Sequence, residues 1–160
     1  MARKALEVKR QGAPLECLAF NCTEPETILE CLKAIEAEAG LGEELKAAGI
    51  QLGGYANLHD RRAVHEKGFD KEKDTMKVVL RDDMAGDGFT GYVRMVERFV
   101  EHGATLVGGC CGCGPEGIRK MVEMYGGKLK GAGTGGHELS PAMSAVEGRS
   151  SPLRLGFIGG

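Results

Sequence analysis

Apolar residues recur at helical spacing in several segments of the chain. The clearest is 24–38, where Pro25 stands at the start and Gly40 follows the end, as expected at the two termini of a helix. Its apolar face is formed by Ile28, Leu29, Leu32 and Ile35. The same reasoning predicts four helices, over 24–38, 41–48, 88–102 and 115–125.

Short apolar runs precede most of these helices and are predicted to be strands. They are 15–20, 50–56 and 104–107. Strands that alternate with helices are typical of a parallel sheet covered by helices, so the pattern predicts the α/β class. The charged and weakly patterned segment 61–87 is interpreted as a long surface excursion, with 77–80 as a candidate short strand.

The composition changes after residue 127. From there the chain is rich in Gly, Ser and Pro, with few large apolar residues before Leu153. Such a segment buries too little apolar surface to offset the cost of ordering it. The sequence therefore predicts a folded domain over 1–127 and a disordered tail over 128–160.

Charge and hydropathy narrow the possible partners. The 160 residues carry a formal net charge of −2, so no overall basic excess points to nucleic acid. The longest apolar runs are far too short to cross a bilayer, and no apolar segment of a secretory signal follows the basic start. We expect a cytoplasmic protein that binds neither nucleic acid nor membrane.

Six cysteines give the chain its candidate chemistry. Without an export signal, such cysteines are more often metal ligands, catalytic or merely buried than disulfide-bonded. Cys22 follows the first predicted strand, and Cys110 and Cys111 follow the third. Because reactive groups of parallel α/β proteins gather in the loops after the strands, these three thiols can converge on one ion. Zinc with three protein thiolates keeps a fourth position open for substrate, as catalytic zinc sites do.

The Gly-rich cysteine loop is open to two other interpretations. One is a tight turn with buried thiols and no metal. The other is a phosphate cradle at the start of the 115–125 helix, but the loop has neither the Walker lysine pattern nor the G-x-G-x-x-G spacing. Cys113 is a spare ligand, a redox neighbour or a turn residue. Cys17 and Cys31 are predicted to be buried or half-buried, and His59 to be a loop residue near Asn57.

Three motifs resemble the zinc-dependent homocysteine S-methyltransferase family. The segment 106–119, Leu-Val-Gly-Gly-Cys-Cys-Gly-Cys-Gly-Pro-Glu-Gly-Ile-Arg, is similar to the family's Gly-Gly-Cys-Cys-Gly strand end with its following Pro-Glu-His-Ile. Phe20-Asn21-Cys22 resembles the family's earlier Asn-Cys motif, and Gly54-Tyr55-Ala56-Asn57 its Tyr-Pro-Asn strand end. The resemblance spans roughly residues 15–127. The chain differs from the family motif at two positions. It has Cys113 where the family has Thr or Ser nearby, and Gly117 where the family has the His that follows Pro-Glu.

The resemblance implies a partial (β/α)8 TIM barrel, of which the chain holds the last three βα units. It implies a Zn²⁺ cofactor bound by Cys22, Cys110 and Cys111, with Asn21 and Asn57 as neighbouring substrate-site residues. Homocysteine would be the methyl acceptor, and betaine, S-methylmethionine, S-adenosylmethionine or methylcobalamin the donor. A second copy or a partner chain would complete the barrel. The alternative is a zinc-thiolate protein without catalysis, or an inactive fragment.

Overall fold

A parallel sheet with helices packed on it forms the centre of the fold. In the computed structural model, residues 1–60 and 79–125 are described in full, together with the backbone of four short strands outside those ranges. The helices are α1 (Ala2–Arg10), α2 (Pro25–Ala37), α3 (Leu41–Ala47), α4 (Asp82–Ala85), α5 (Thr90–Glu101) and α6 (Pro115–Tyr125). The strands are β1 (Cys17–Thr23), β2 (Gln51–Ala56), β3 (Phe69–Asp70), β4 (Thr75–Met76), β5 (Leu106–Gly109), β6 (Leu129–Gly131) and β7 (Leu153–Phe157).

The main sheet has the order β1-β2-β5-β7-β6, and all of its neighbouring strands are parallel. β3 and β4 form a separate antiparallel pair. The α/β class predicted from the sequence is therefore confirmed. Parallel strands end at the same edge, which places the loops after β1, β2 and β5 side by side.

The core lies between the sheet and the helices α2 and α5. Gly54 of β2 shows how close this packing is, because a Cβ atom there would stand 2.7 Å from Ile28 of α2 and 3.3 Å from Phe99 of α5. Both helices thus cover the same face of the sheet. The apolar face predicted for α2 is buried, and Ile28, Leu32, Val93, Val96 and Phe99 are all fully enclosed.

Helix α1 was missed by the sequence analysis. Its residues Ala2 and Leu6, one helical turn apart, are buried, and α1 packs against α3. The polar remainder of α1 hid this short apolar stripe. No helix in the described part of the chain is long and apolar enough to cross a membrane.

Two segments of the predicted tail 128–160 are paired strands. β7 continues the sheet beyond β5, with Val107 opposite Leu155, and β6 pairs with β7. These two segments depart from the expected disorder because their backbone groups join the ladder. Residues 126–128, 132–152 and 158–160 lie outside the described residues, as do 61–68, 71–74 and 77–78 of the predicted excursion. Leu80, at the end of the candidate 77–80 strand, forms an isolated bridge with His59.

Candidate metal centre

Strand β1 ends in a bulge at Cys22. Asn21 pairs with Tyr55 and Thr23 pairs with Ala56, so Cys22 is the extra residue in the ladder. Its φ of 55° lies in the left-handed region, which costs a residue with a Cβ atom roughly 1–2 kcal/mol. Such strain persists only where the surrounding structure imposes it, and it is found at functional sites.

Cys110 and Cys111 lie in a tight turn after β5. The Cys110 amide donates to the Ala56 carbonyl at 3.2 Å, and the Cys113 amide donates to the Cys110 carbonyl at 3.0 Å. Gly112 has a φ of 81°, and a Cβ atom there would lie 2.6 Å from the Leu80 side chain. The positive φ therefore favours glycine at this turn.

The bulge and the turn bring three thiols together. The Sγ atom of Cys111 lies 3.7 Å from that of Cys22 and 3.8 Å from that of Cys110. All three sulfur atoms are within 4.8 Å of one another, and this is the group of described residues whose side chains could hold a metal ion. Tetrahedral zinc with bonds of about 2.3 Å to sulfur requires sulfur atoms about 3.8 Å apart, so the donor set fits zinc.

Asn57 joins this cluster and Asn21 does not. The Asn57 side-chain amide lies 3.8 Å from the Cys22 sulfur, within donor distance of a thiol or thiolate. Its carbonyl oxygen accepts the His59 amide at 2.9 Å, an Asx turn that fixes the side chain. Asn21 is exposed beside Cys22, and among the described residues no hydrogen bond links its side chain to the thiols.

Main-chain hydrogen bonds hold the three loops in place. The Asn57 amide donates to the Thr23 carbonyl at 2.9 Å, which joins the loop after β2 to the end of β1. The Leu58 amide donates to the Cys111 carbonyl at 2.8 Å, which joins the same loop to the cysteine turn. The loop after β2 is therefore the bridge between Cys22 and the other two cysteines.

The Cys111 thiol stays protonated at neutral pH when no cation is near. The pKa of Cys111 is raised to about 11, first because its sulfur hydrogen-bonds that of Cys22, and further by burial and by Cys110. Adjacent thiolates would repel one another, so the charge of a divalent cation is needed to hold them together. Metal binding at this site must therefore release protons.

Comparison with known families agrees with this geometry. The profile of the family described as homocysteine S-methyltransferase matches residues 2–125, most of the chain. The chain belongs to this family. The resemblance seen in the three motifs is thereby confirmed, and the match extends it to α1. No curated protein and no solved structure matches the chain.

The chain departs from the homocysteine S-methyltransferase pattern at Cys113 and Gly117, and the structure shows that the two departures are linked. Cys113 is buried, and a Cβ atom at Gly117 would stand 2.7 Å from its sulfur and 3.0 Å from the Phe89 ring. A histidine at 117 has no room beside these two side chains. Burial raises the pKa of Cys113 to about 12, as expected of an inert packed thiol.

Glycine at position 109 is required by the packing of the cysteine turn. At Gly109 a Cβ atom would stand 2.4 Å from the Cys113 sulfur, so this glycine makes room for the buried thiol. Of the two remaining cysteines, Cys31 is half-buried as predicted, whereas Cys17 is exposed because it begins strand β1 at the rim of the sheet.

Two residues that support the site were not singled out from the sequence. Arg81 donates to both carboxylate oxygens of Glu26, at 2.6 and 2.7 Å, and to Asp83. Its backbone amide also donates to the Leu58 carbonyl, which fastens the bridging loop to the start of α2. Tyr92 lies on the buried face of α5, and its hydroxyl bonds backbone groups of both β2 and β5. Nothing in the helical spacing signals either bond.

Proposed function

We propose that this protein transfers a methyl group to the sulfur of homocysteine, at a zinc ion held by Cys22, Cys110 and Cys111. Membership of the homocysteine S-methyltransferase family supports methyl transfer to a homocysteine-like substrate. The observation that carries the zinc assignment is the spacing of the three sulfur atoms, 3.7 and 3.8 Å for the two recorded pairs. This spacing equals the edge of a zinc-thiolate tetrahedron.

The three cysteines bind the ion and leave one side of the site accessible. Cys22 is exposed, and Cys110 and Cys111 are half-buried, so the cluster opens to solvent on the Cys22 side. When bound, zinc would lower the pKa of a thiol in its fourth position and keep it as a nucleophilic thiolate at neutral pH.

The two asparagines have separate roles in this proposal. Asn57 donates to the Cys22 sulfur, which spreads the negative charge of that ligand and orients it. Asn21 is exposed directly beside Cys22, where it can contact the amino or carboxylate group of homocysteine. The methyl transfer itself is an in-line displacement. A lone pair of the homocysteine sulfur forms the new bond to the methyl carbon, and the old bond breaks with its electron pair going to the donor.

The methyl donor belongs to the set betaine, S-methylmethionine, S-adenosylmethionine or methylcobalamin. We further infer that the sheet is part of a (β/α)8 barrel that a second copy or a partner chain completes. The support is the adjacency of β1, β2 and β5 in chain order, with α2 and α5 on one face, as in successive units of such a barrel.

The test combines metal content with activity. Purified, reduced protein is assayed for bound zinc and for methionine formed from homocysteine with each donor. We expect one zinc per chain and turnover with one donor. Cys22→Ser should remove most of both, whereas Cys17→Ser, an exposed cysteine of the same strand, should change neither.

Each outcome has a distinct meaning. Absence of zinc in the reduced protein contradicts the proposed metal site. Zinc without turnover contradicts the enzymatic proposal and favours a zinc-thiolate protein that is not catalytic. Zinc that survives Cys22→Ser but is lost in Cys17→Ser contradicts the ligand assignment.

A further inference from the structure

The hydroxyl of Tyr92 is hydrogen-bonded to both strands that lead into the proposed metal site. Tyr92 belongs to α5, and its side chain is fully buried. The hydroxyl donates to the Gly108 carbonyl of β5 at 2.6 Å and accepts the Ala56 amide of β2 at 3.2 Å. One phenol is thus bonded to both strands at once.

These two backbone groups form the last rung before the site. With Ala56 opposite Gly109, a parallel ladder pairs the Ala56 amide with the Gly108 carbonyl, and then the Cys110 amide with the Ala56 carbonyl. The second of these bonds is present at 3.2 Å. The Tyr92 hydroxyl contacts both partners of the first. The hydroxyl therefore contacts β2 just before Asn57 and β5 just before Cys110.

A buried phenol is well suited to set a distance. Its ring is rigid and is enclosed by the core, so the hydroxyl has little freedom to follow movements of either strand. Burial also raises the pKa of Tyr92, which keeps the hydroxyl protonated and able to donate while it accepts. The spacing of β2 and β5 at this rung determines where the two following loops begin.

We propose that Tyr92 is a positioning residue for the metal site, and that its hydroxyl sets the separation of the strand ends from which Asn57 and Cys110 approach the ion. This rests on the proposed zinc site. Tyr92 touches neither metal nor substrate and acts through the backbone. Because Asn57 and Leu58 also connect to Thr23 and to Cys111, a shift at this rung reaches all three ligands.

The test uses Co²⁺ as a spectroscopic probe of the reduced, metal-free full-length chain. Tyr92→Phe keeps the ring and removes the hydroxyl. The matched control is Tyr125→Phe, because the Tyr125 hydroxyl is also buried but has no hydrogen-bond partner among the described residues. We expect Tyr92→Phe to change the ligand-field bands of the cobalt complex and to weaken zinc binding about 10-fold in a chelator competition, and Tyr125→Phe to leave both unchanged.

The outcomes separate this proposal from the proposed function. If wild-type protein gives no cobalt-thiolate spectrum, the metal site fails and the role of Tyr92 fails with it. If wild-type protein binds cobalt and Tyr92→Phe gives the same bands and the same zinc affinity, only the role of Tyr92 is overturned. A merely structural tyrosine would lower the unfolding temperature without altering the cobalt bands.

If the Tyr92→Phe protein does not fold, a second measurement on the protein that retains Tyr92 tests the proposal. The chain has three tyrosines, so protein labelled with 3-fluorotyrosine gives fluorine resonances that Tyr55→Phe and Tyr125→Phe assign. We expect the Tyr92 resonance to move when zinc is added and the Tyr125 resonance to stay. A Tyr92 fluorine resonance whose chemical shift does not change when zinc is added overturns the proposal.

Discussion

The sulfur atoms of Cys22 and Cys111 lie 3.7 Å apart, although the two residues are 89 positions apart in the chain. Cys22 reaches this position through a bulge and a left-handed backbone, and Cys111 through a glycine turn. The loop after β2 is hydrogen-bonded to both, through the Asn57 side chain to the Cys22 sulfur and through the Leu58 amide to the Cys111 carbonyl. The site is thus assembled by main-chain geometry.

The backbone strain at Cys22 predicts a difference between two variants that both lack the thiol. Cys22→Gly relieves the left-handed conformation and Cys22→Ala keeps it, so we expect the glycine variant to be about 1 kcal/mol more stable. Urea unfolding of the two metal-free proteins measures this difference. Equal stability, or a more stable alanine variant, would mean that the bulge relaxes once the thiol is gone.

Asn57 and Asn21 should separate metal binding from substrate binding. Asn57→Ala removes the donor to the Cys22 sulfur, so we expect zinc affinity to fall about 10-fold. Asn21→Ala should leave zinc affinity unchanged and raise the KM for homocysteine. Chelator competition and steady-state kinetics give the two readouts. An Asn57→Ala protein with wild-type zinc affinity would remove this residue from the site.

The pairing of Gly117 with Cys113 predicts a steric penalty. Gly117→Ala places a Cβ atom 2.7 Å from the Cys113 sulfur, and we expect a loss of about 1–3 kcal/mol in unfolding free energy. Gly114→Ala is the control, since nothing lies within 4 Å of a Cβ atom there. Cys113→Ala in the Gly117→Ala background should recover part of the loss. If the two substitutions are additive, the sulfur is not the obstacle.

Acid should weaken the attachment of the bridging loop. The Arg81 guanidinium holds the pKa of Glu26 below its ordinary value of 4.5, and that of Asp83 below 3.8. A lowered carboxyl pKa contributes stability that is complete above the ordinary value and is lost as the pH falls through the lowered one. Glu26→Gln should therefore flatten the fall in thermal stability below about pH 4.5.

The control for this variant is Glu30→Gln on the same helix, because Glu30 pairs with Lys33 at an exposed position. An exposed pair of this kind contributes little to stability. We expect Glu30→Gln to retain the acid dependence of the wild-type protein. Identical pH profiles for Glu26→Gln and wild type would show that the Arg81 contact does not hold the loop.

The sequence predicted those parts of the fold that have strong local signals. Helix α2 was predicted over 24–38 and spans Pro25–Ala37, since a proline start and apolar residues at helical spacing agree there. The third strand was predicted over 104–107 and lies at Leu106–Gly109. Its end was placed too early because Gly108 and Gly109 have a low preference for strands. Helix α1 and strand β6 were missed because their segments carry few large apolar residues. Strand β7 does carry Leu153, Leu155 and Phe157, but it follows a Gly- and Ser-rich segment with which it was grouped as tail.

The candidate site was predicted in outline only. That Cys22, Cys110 and Cys111 should converge follows from strand ends sharing one edge, and the structure brings their sulfur atoms together. The bulge at Cys22, the bond of the Tyr92 hydroxyl and the clamp of Arg81 on Glu26 depend on distant residues meeting in space. No local pattern of the sequence contains that information.

The bulge at Cys22 also bears on how such a site can be gained or lost in evolution. The extra residue in β1 and the candidate ligand are the same amino acid. Deletion of this one codon would leave a regular ladder, with Asn21 and Thr23 as consecutive partners of β2. The sheet would thus survive a deletion that removes a candidate metal ligand. A single insertion at the same place would restore the bulge and the ligand together. Relatives that keep the fold but lack a residue at this point in β1 are therefore expected to have abandoned the metal.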